Sequence, residues 1–191
     1  MTNSSLSVQR YLILMMWIGP REEHKMSNNI DTFSLKVDGI KSVCATGEAW
    51  ANTQIKQRNI PVLACEGPCV RGDIARRVAN LIIKEQPFSR ACYAEVALVP
   101  HSSMAQWVKE ADHVVMLDGC FLMCMGRVLN NLVDKEKIIH LDAMAFYDKY
   151  TEIFFMEDVP ESERNDTARQ VTAQVMPRLR ERLEKDRNPS D

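Results

Sequence analysis

At 191 residues, with 24 basic against 26 acidic side chains and a formal net charge of -2, the chain has the length of one domain with a real core rather than two. Apolar residues at 46% and charged residues at 26% match soluble folded proteins, which excludes a disordered chain and a membrane bundle. The balanced charge gives no hint of a nucleic-acid partner, and a pair such as Arg76 with Arg77 reads as a solvated helix face.

Residues 1–30 read as an amino-terminal extension, either flexible or a misread leader, since Met26 offers a second start. Within it YLILMMWIG, residues 11–19, is far shorter than the roughly 20 residues that span a bilayer, so no membrane span is expected. No small-residue cleavage site follows it, and the chain is expected in the cytoplasm; a surface-docked or swapped apolar arm is the other reading of this run.

Residues 31–186 are expected to form a single α/β domain. FSLKV, residues 33–37, alternates as a half-buried strand does, and residues 44–57 are ambiguous. NIPVLAC, residues 59–65, is a short apolar strand. DIARRVANLII, residues 73–83, then repeats apolar side chains at Ile74, Val78, Leu81 and Ile82, one face of a helix. In SRACYAEVALVP, residues 89–100, Cys92 sits before a strand. Ser103 with Gln106 reads as a capping box opening a helix over residues 103–111.

HVVMLD, residues 113–118, has the composition of a strand buried on both faces, and a helix with Met125, Val128, Leu129 and Leu132 on one side follows it. KIIHLD, residues 137–142, is another such strand. Asp158 with Glu161 caps a long helix reaching about Lys185, whose inward face is Ala168, Val171, Val175, Leu179 and Leu183; the tail RNPSD frays. Strands alternating with helices pair in parallel through right-handed crossovers. The expected fold is therefore a three-layer, mainly parallel α/β sheet, Rossmann-like or flavodoxin-like, with helices on both faces. The long last helix packs on the sheet or pairs with a second copy in a homodimer.

Ligand sites of such sheets lie beyond the carboxyl ends of the strands. Cys65 closes one predicted strand and Cys69 lies four residues on, while Cys120 and Cys124, spaced as one helical turn, follow another. Helix N-termini there favour thiolate, the form that binds metal or attacks an electrophile. Gly67, Gly72 and Gly119 are expected to adopt backbone angles that other residues avoid, turning amides toward a bound ion. Cys92 is placed to supply a further sulfur, and Cys44 reads as a small core residue.

Four thiolates suit tetrahedral zinc and suit an iron-sulfur cluster equally, and spacing does not separate them. A thiol-disulfide switch of Cys65 with Cys69 or Cys120 with Cys124 is a third reading. Asp118 is a helix cap, an outer-shell partner of a ligand, or an acid-base group. His101, His113 and His140 read as structural residues. No phosphate-cradling GxxxxGK, HExxH or nucleophile-elbow motif is present, so catalytic residues, substrate and partner are not legible.

The ordered set IPVLACEGPCVRGDIARRVAN, RACYAEV and HVVMLDGCFLMCMGRVL resembles the DGC-domain family over roughly residues 59–143. That resemblance implies zinc binding by four cysteines, which fall here at Cys65, Cys92, Cys120 and Cys124. The chain departs from the pattern at Cys69, where a small polar residue is usual, and at YAEVA, where a glycine-containing turn is commoner. The surplus of sulfur leaves Cys69 as a fifth candidate ligand and raises redox or cluster chemistry as the alternative.

Overall fold

The computed structural model describes residues 33–187; the apolar run at 11–19 and the tail at 188–191 lie outside them. The chain divides into two units between Asp38 and Gly39, and the α/β architecture belongs to the second. Residues 33–37 carry no regular structure, so the expected strand there is absent. Alternation over five residues does not make a strand without a neighbour to pair with.

Helix α1 (Ala45–Gln57) resolves the ambiguous stretch. It starts at Cys44, whose Sγ accepts the Gly47 N–H at 3.3 Å, so this exposed cysteine is a helix cap and not the core residue expected. Strand β1 (Ile60–Ala64) is wholly buried, and helix α2 (Val70–Ile82) starts at Cys69. Strand β2 (Phe88–Arg90) precedes Cys92, and a short helix, α3 (Tyr93–Leu98), follows it, the reverse of the order expected. The three-residue strand is recruited by pairing with β1, Ile60 opposite Phe88, which a local pattern does not reveal.

Helix α4 (Ser103–Glu110) is capped by Ser102, one residue earlier than expected, through the Ala105 N–H at 3.1 Å. Ser103 instead binds Glu48 of α1 through its N–H at 2.7 Å and its hydroxyl at 2.5 Å. Strand β3 (Val114–Asp118) is followed, after five intervening residues, by the one-and-a-half-turn helix α5 (Cys124–Leu129). Val128 is exposed in α5, and only Leu129 of its expected apolar side is fully buried. Strand β4 (Ile138–Asp142) leads through a 3-10 turn (Ala143–Phe146) and a second (Met156–Asp158) into helix α6 (Glu161–Arg187). Asp158 lies in that second turn and does not cap α6; the Pro160 carbonyl accepts the first helical N–H, from Arg164, at 3.1 Å.

The strands form one all-parallel sheet in the order β2-β1-β3-β4, the first four positions of the flavodoxin-like order. Side chains alternate between two cores. Val62, Ala64, Val115 and Leu117 pack with Ile74 and Val78 of α2 and with Val171, Val175 and Leu179 of α6. On the other face Leu63, Val114 and Met116 meet Ala51 of α1, Trp107 and Val108 of α4, and Leu129 of α5. Helices thus cover both faces, as three layers require. All five residues expected on the inward face of α6 are buried.

Helices α2 and α6 are also joined by charge. The Asp73 carboxylate, 2% exposed, accepts from Arg76 at 2.5 Å, from Arg77 at 2.7 Å and from Arg164 of α6. Burial pushes this carboxyl up, but the hydrogen bonds from Arg77, Arg164 and Arg76 outweigh it and hold it below the usual carboxylate range. Arg76 and Arg77 are therefore partners of a buried acid, not merely a solvated face.

Candidate thiol site at the carboxyl edge of the sheet

The parallel sheet brings the carboxyl ends of all its strands to one edge, and the five candidate cysteines sit there on turns after three adjacent strands. Cys65 follows β1, Cys69 opens α2, Cys92 follows β2, and Cys120 and Cys124 follow β3. Cys65, Cys69 and Cys120 are half-buried, whereas Cys92 and Cys124 are exposed. Cys69 lies within electrostatic reach of both Cys65 and Cys120, and Cys124 within reach of Cys120. The candidate ranked fifth from the sequence therefore stands at the centre of the group. Cys92 is not among the leading influences on Cys65 or Cys120; it acts on Arg90, and its neighbour Tyr93 donates to the Met125 carbonyl at 2.9 Å, beside Cys124.

Burial pushes the Cys65 thiol up, with backbone N–H groups of Gly67 and Gly119 opposing it and nearby Asp118 adding to it. Burial likewise pushes Cys120 up, against the Leu122 N–H and the Arg71 charge. Both thiols are therefore shifted up, the opposite direction to that expected from helix N-termini: removal of solvent outweighs the local dipoles.

No glycine here takes a positive φ. Gly119 is required for close approach instead: a Cβ on it would lie 2.7 Å from the Arg71 carbonyl oxygen and 2.8 Å from the Gly72 nitrogen. The turn after β3 thereby presses directly on the first turn of α2, which is how Cys120 reaches Cys69. The Cys120-to-Cys124 spacing is not one helical turn. The chain turns at Met123, which has a left-handed φ of 46°, and α5 begins only at Cys124. Such a backbone at a side-chain-bearing residue costs about 1 kcal/mol or more.

Asp118, 1% exposed, ends β3. Its carboxylate accepts the Met125 N–H at 3.1 Å and the Gly126 N–H at 2.9 Å, so it caps α5 from a distance, and its Oδ2 lies 2.6 Å from His140 Nε2 on β4. Register explains the meeting: Met116 opposes His140 and Asp118 opposes Asp142, placing all four side chains on one face. Gly126 is the missing wall. A Cβ there would fall 2.2 Å from His140 Cε1 and 2.6 Å from Asp118 Oδ2.

Past the 3-10 turn after β4 comes Tyr147, whose hydroxyl is shielded from solvent without a hydrogen-bond partner among the described residues, as is Nε of Arg71 in α2. Each such orphan costs about 1–3 kcal/mol. Arg71 is within electrostatic reach of Tyr147 and Cys120, and Tyr147 also of Cys69 and Cys120. Arg71, Gly126, Tyr147 and the Asp118–His140 pair escaped the sequence reading; an isolated glycine inside a short helix was the one local signal available.

Soft sulfur donors suit zinc or an iron-sulfur cluster. Their placement does not: among the described residues no three His, Cys, Asp or Glu side chains are gathered to hold a metal ion. A hollow of about 710 Å³ lies at the opposite end of the sheet, lined by Asn59, Trp107 and His113 and by no cysteine. Among the described residues no helix is long and apolar enough to cross a membrane.

Neither a curated protein nor a solved structure matches the chain. A family model, the DGC domain, matches residues 61–174, from β1 into α6 and through the whole thiol edge.

Proposed function

Because the chain belongs to the DGC domain family, we propose that it is a metal-binding protein whose thiols at the carboxyl edge of the sheet take a soft metal ion, with zinc as the first candidate. The observation that carries this reading is that the turn bearing Cys65 and Cys69 and the turn bearing Cys120 and Cys124 are pressed together at Gly119, while among the described residues the sulfurs themselves are not gathered as a formed metal cluster. Backbone N–H groups reach the sulfurs of Cys65, Cys69 and Cys120, the support that bound thiolates receive in metal centres. Support comes from this donor set and not from a closed tetrahedron. Cys92, on the adjacent turn, is the alternative fourth sulfur that the family pattern implies. Unpaired thiols suit the cytoplasm.

The test is preparation of the full chain without oxygen and without a histidine tag, followed by zinc, iron and acid-labile sulfide analysis. About one zinc per chain is expected, reduced in Cys65→Ser, Cys69→Ser and Cys120→Ser. Metal content unchanged in all three variants, or no bound metal in the parent, overturns the proposal. Iron with stoichiometric sulfide replaces zinc by a cluster at the same thiols. Cys92→Ser against Cys124→Ser identifies the fourth donor.

A further inference from the structure

Two turns of the site each carry a shielded polar atom without a hydrogen-bond partner among the described residues. Arg71 projects from the first turn of α2, and Tyr147 follows the 3-10 turn after β4. Arg71 Nε and the Tyr147 hydroxyl are two of the three shielded side-chain atoms without a partner among the described residues. The third, Glu95 Oε1, sits against α1 at Gly47, away from these turns.

The two orphans are neighbours in the electrostatics, and each is within reach of Cys120. Four other arginines on or beside α2 have an acid: Arg76 and Arg77 hold Asp73, Arg90 holds Glu66, and Arg164 holds Asp73. Among the described residues no carboxylate forms an ion pair with Arg71, although the Asp142 carboxylate lies within electrostatic reach of Tyr147. An N–H donor that carries permanent positive charge, next to a phenol O–H, calls for an anionic oxygen acceptor, and a guanidinium edge binds a carboxylate through parallel hydrogen bonds.

The surroundings add an apolar requirement. Phe121 and Leu122, between Cys120 and Cys124, are 53% and 54% exposed. Phe154 and Phe155 are 53% and 60% exposed; this segment pairs with the start of α2, through a Cys69–Phe155 bridge and the Val70 N–H on the Phe154 carbonyl at 3.0 Å. Exposed apolar side chains thus stand on the turn after β3, next to Cys120, and on the segment paired with the start of α2.

We propose that Arg71 and Tyr147 form a binding site for an organic carboxylate, an acid group on an apolar body, held beside the thiols of Cys69 and Cys120. Arg71 takes the carboxylate, Tyr147 donates to the same group, and the exposed phenylalanines cover the apolar part. The site goes beyond the metal reading and stands without it, because neither of its polar residues is a metal donor in that reading.

Benzoate is the probe. The full chain is titrated with sodium benzoate against sodium chloride at matched ionic strength, following amide and Tyr147 ring resonances by NMR, on samples with and without chelator. Saturable binding is expected, weakened at least tenfold in Arg71→Met and several-fold in Tyr147→Phe, while zinc content measured on the same samples stays at the parent level. Absence of saturable benzoate binding, or unchanged affinity in both variants, overturns the proposal. Should Arg71→Met not fold, Tyr147→Phe decides alone, since it removes one oxygen and keeps the ring. Loss of zinc in Cys120→Ser with benzoate affinity retained would separate the two sites; a failure of zinc binding alone leaves the carboxylate result intact.

Discussion

Gly126 illustrates how one missing side chain makes room for two others. Asp118 both caps α5 and meets His140, and it does so through the volume that a Cβ at position 126 would fill. His140 belongs to a strand and Asp118 to another, so neither is free to retreat far. Gly126→Ala is therefore expected to destabilise the protein by about 2 kcal/mol, in the range of overpacked sites. The measurement is the urea unfolding midpoint, with the His140 ring resonances showing whether the contact to Asp118 is lost. An alanine variant with an unchanged midpoint and unchanged His140 resonances would show that the helix start moves freely. Cys44 and Cys69 make a different point: each caps a helix through sulfur, accepting the Gly47 and Gly72 N–H groups, so a cysteine at such a position is explained by backbone geometry before any chemistry is invoked.

Between elements, the Asp73 cluster does for α2 and α6 what apolar contact does elsewhere on that face. Three arginines surround one buried carboxylate, and removing it leaves Arg77 and Arg164, both mostly buried, without their partner. Asp73→Asn is expected to cost about 3 kcal/mol at neutral pH. The pH dependence has a definite sign. The folded carboxyl is depressed below its unfolded value, so its contribution is complete above about pH 4 and is lost as pH falls through the folded value. Denaturant midpoints measured from neutral pH downward should fall more steeply in the parent than in Asp73→Asn. Parallel curves would show that Asp73 does not set the acid sensitivity. Packing on the same face is tested by Leu179→Ala, a fully buried residue of α6, with an expected loss of about 2–5 kcal/mol by the same unfolding measurement.

For the whole molecule, the sheet edge joins turns far apart in the chain, Cys65 and Cys120 being 55 residues apart. A ligand that ties those turns together stabilises the folded state by mass action, about 2.7 kcal/mol at a hundred times its Kd. Zinc added to chelator-treated protein should accordingly raise Tm by several degrees, and the rise should be absent in a variant with Cys65 and Cys120 both replaced by serine. A Tm indifferent to zinc in the parent would remove metal from the account of stability.

Periodicity alone was enough for the buried strands β1 and β3, for the inward face of α6 and for an α/β sheet, because each is a local pattern that water and apolar burial enforce. The thiol edge was legible too, since parallel strands must deliver their following turns to one side. What escaped was everything that depends on a neighbour from elsewhere in the chain. The short strand β2 exists by pairing with β1, and Asp118 finds His140 through the register of β3 with β4. Cys69 becomes central because Gly119 lets two turns touch, and the burial that follows raises the Cys65 and Cys120 thiols where an isolated helix start would lower them. Spacing along a chain records which groups a turn can offer; solvent exclusion and contact across turns decide their charge and their partners, and both exist only once the sheet has formed.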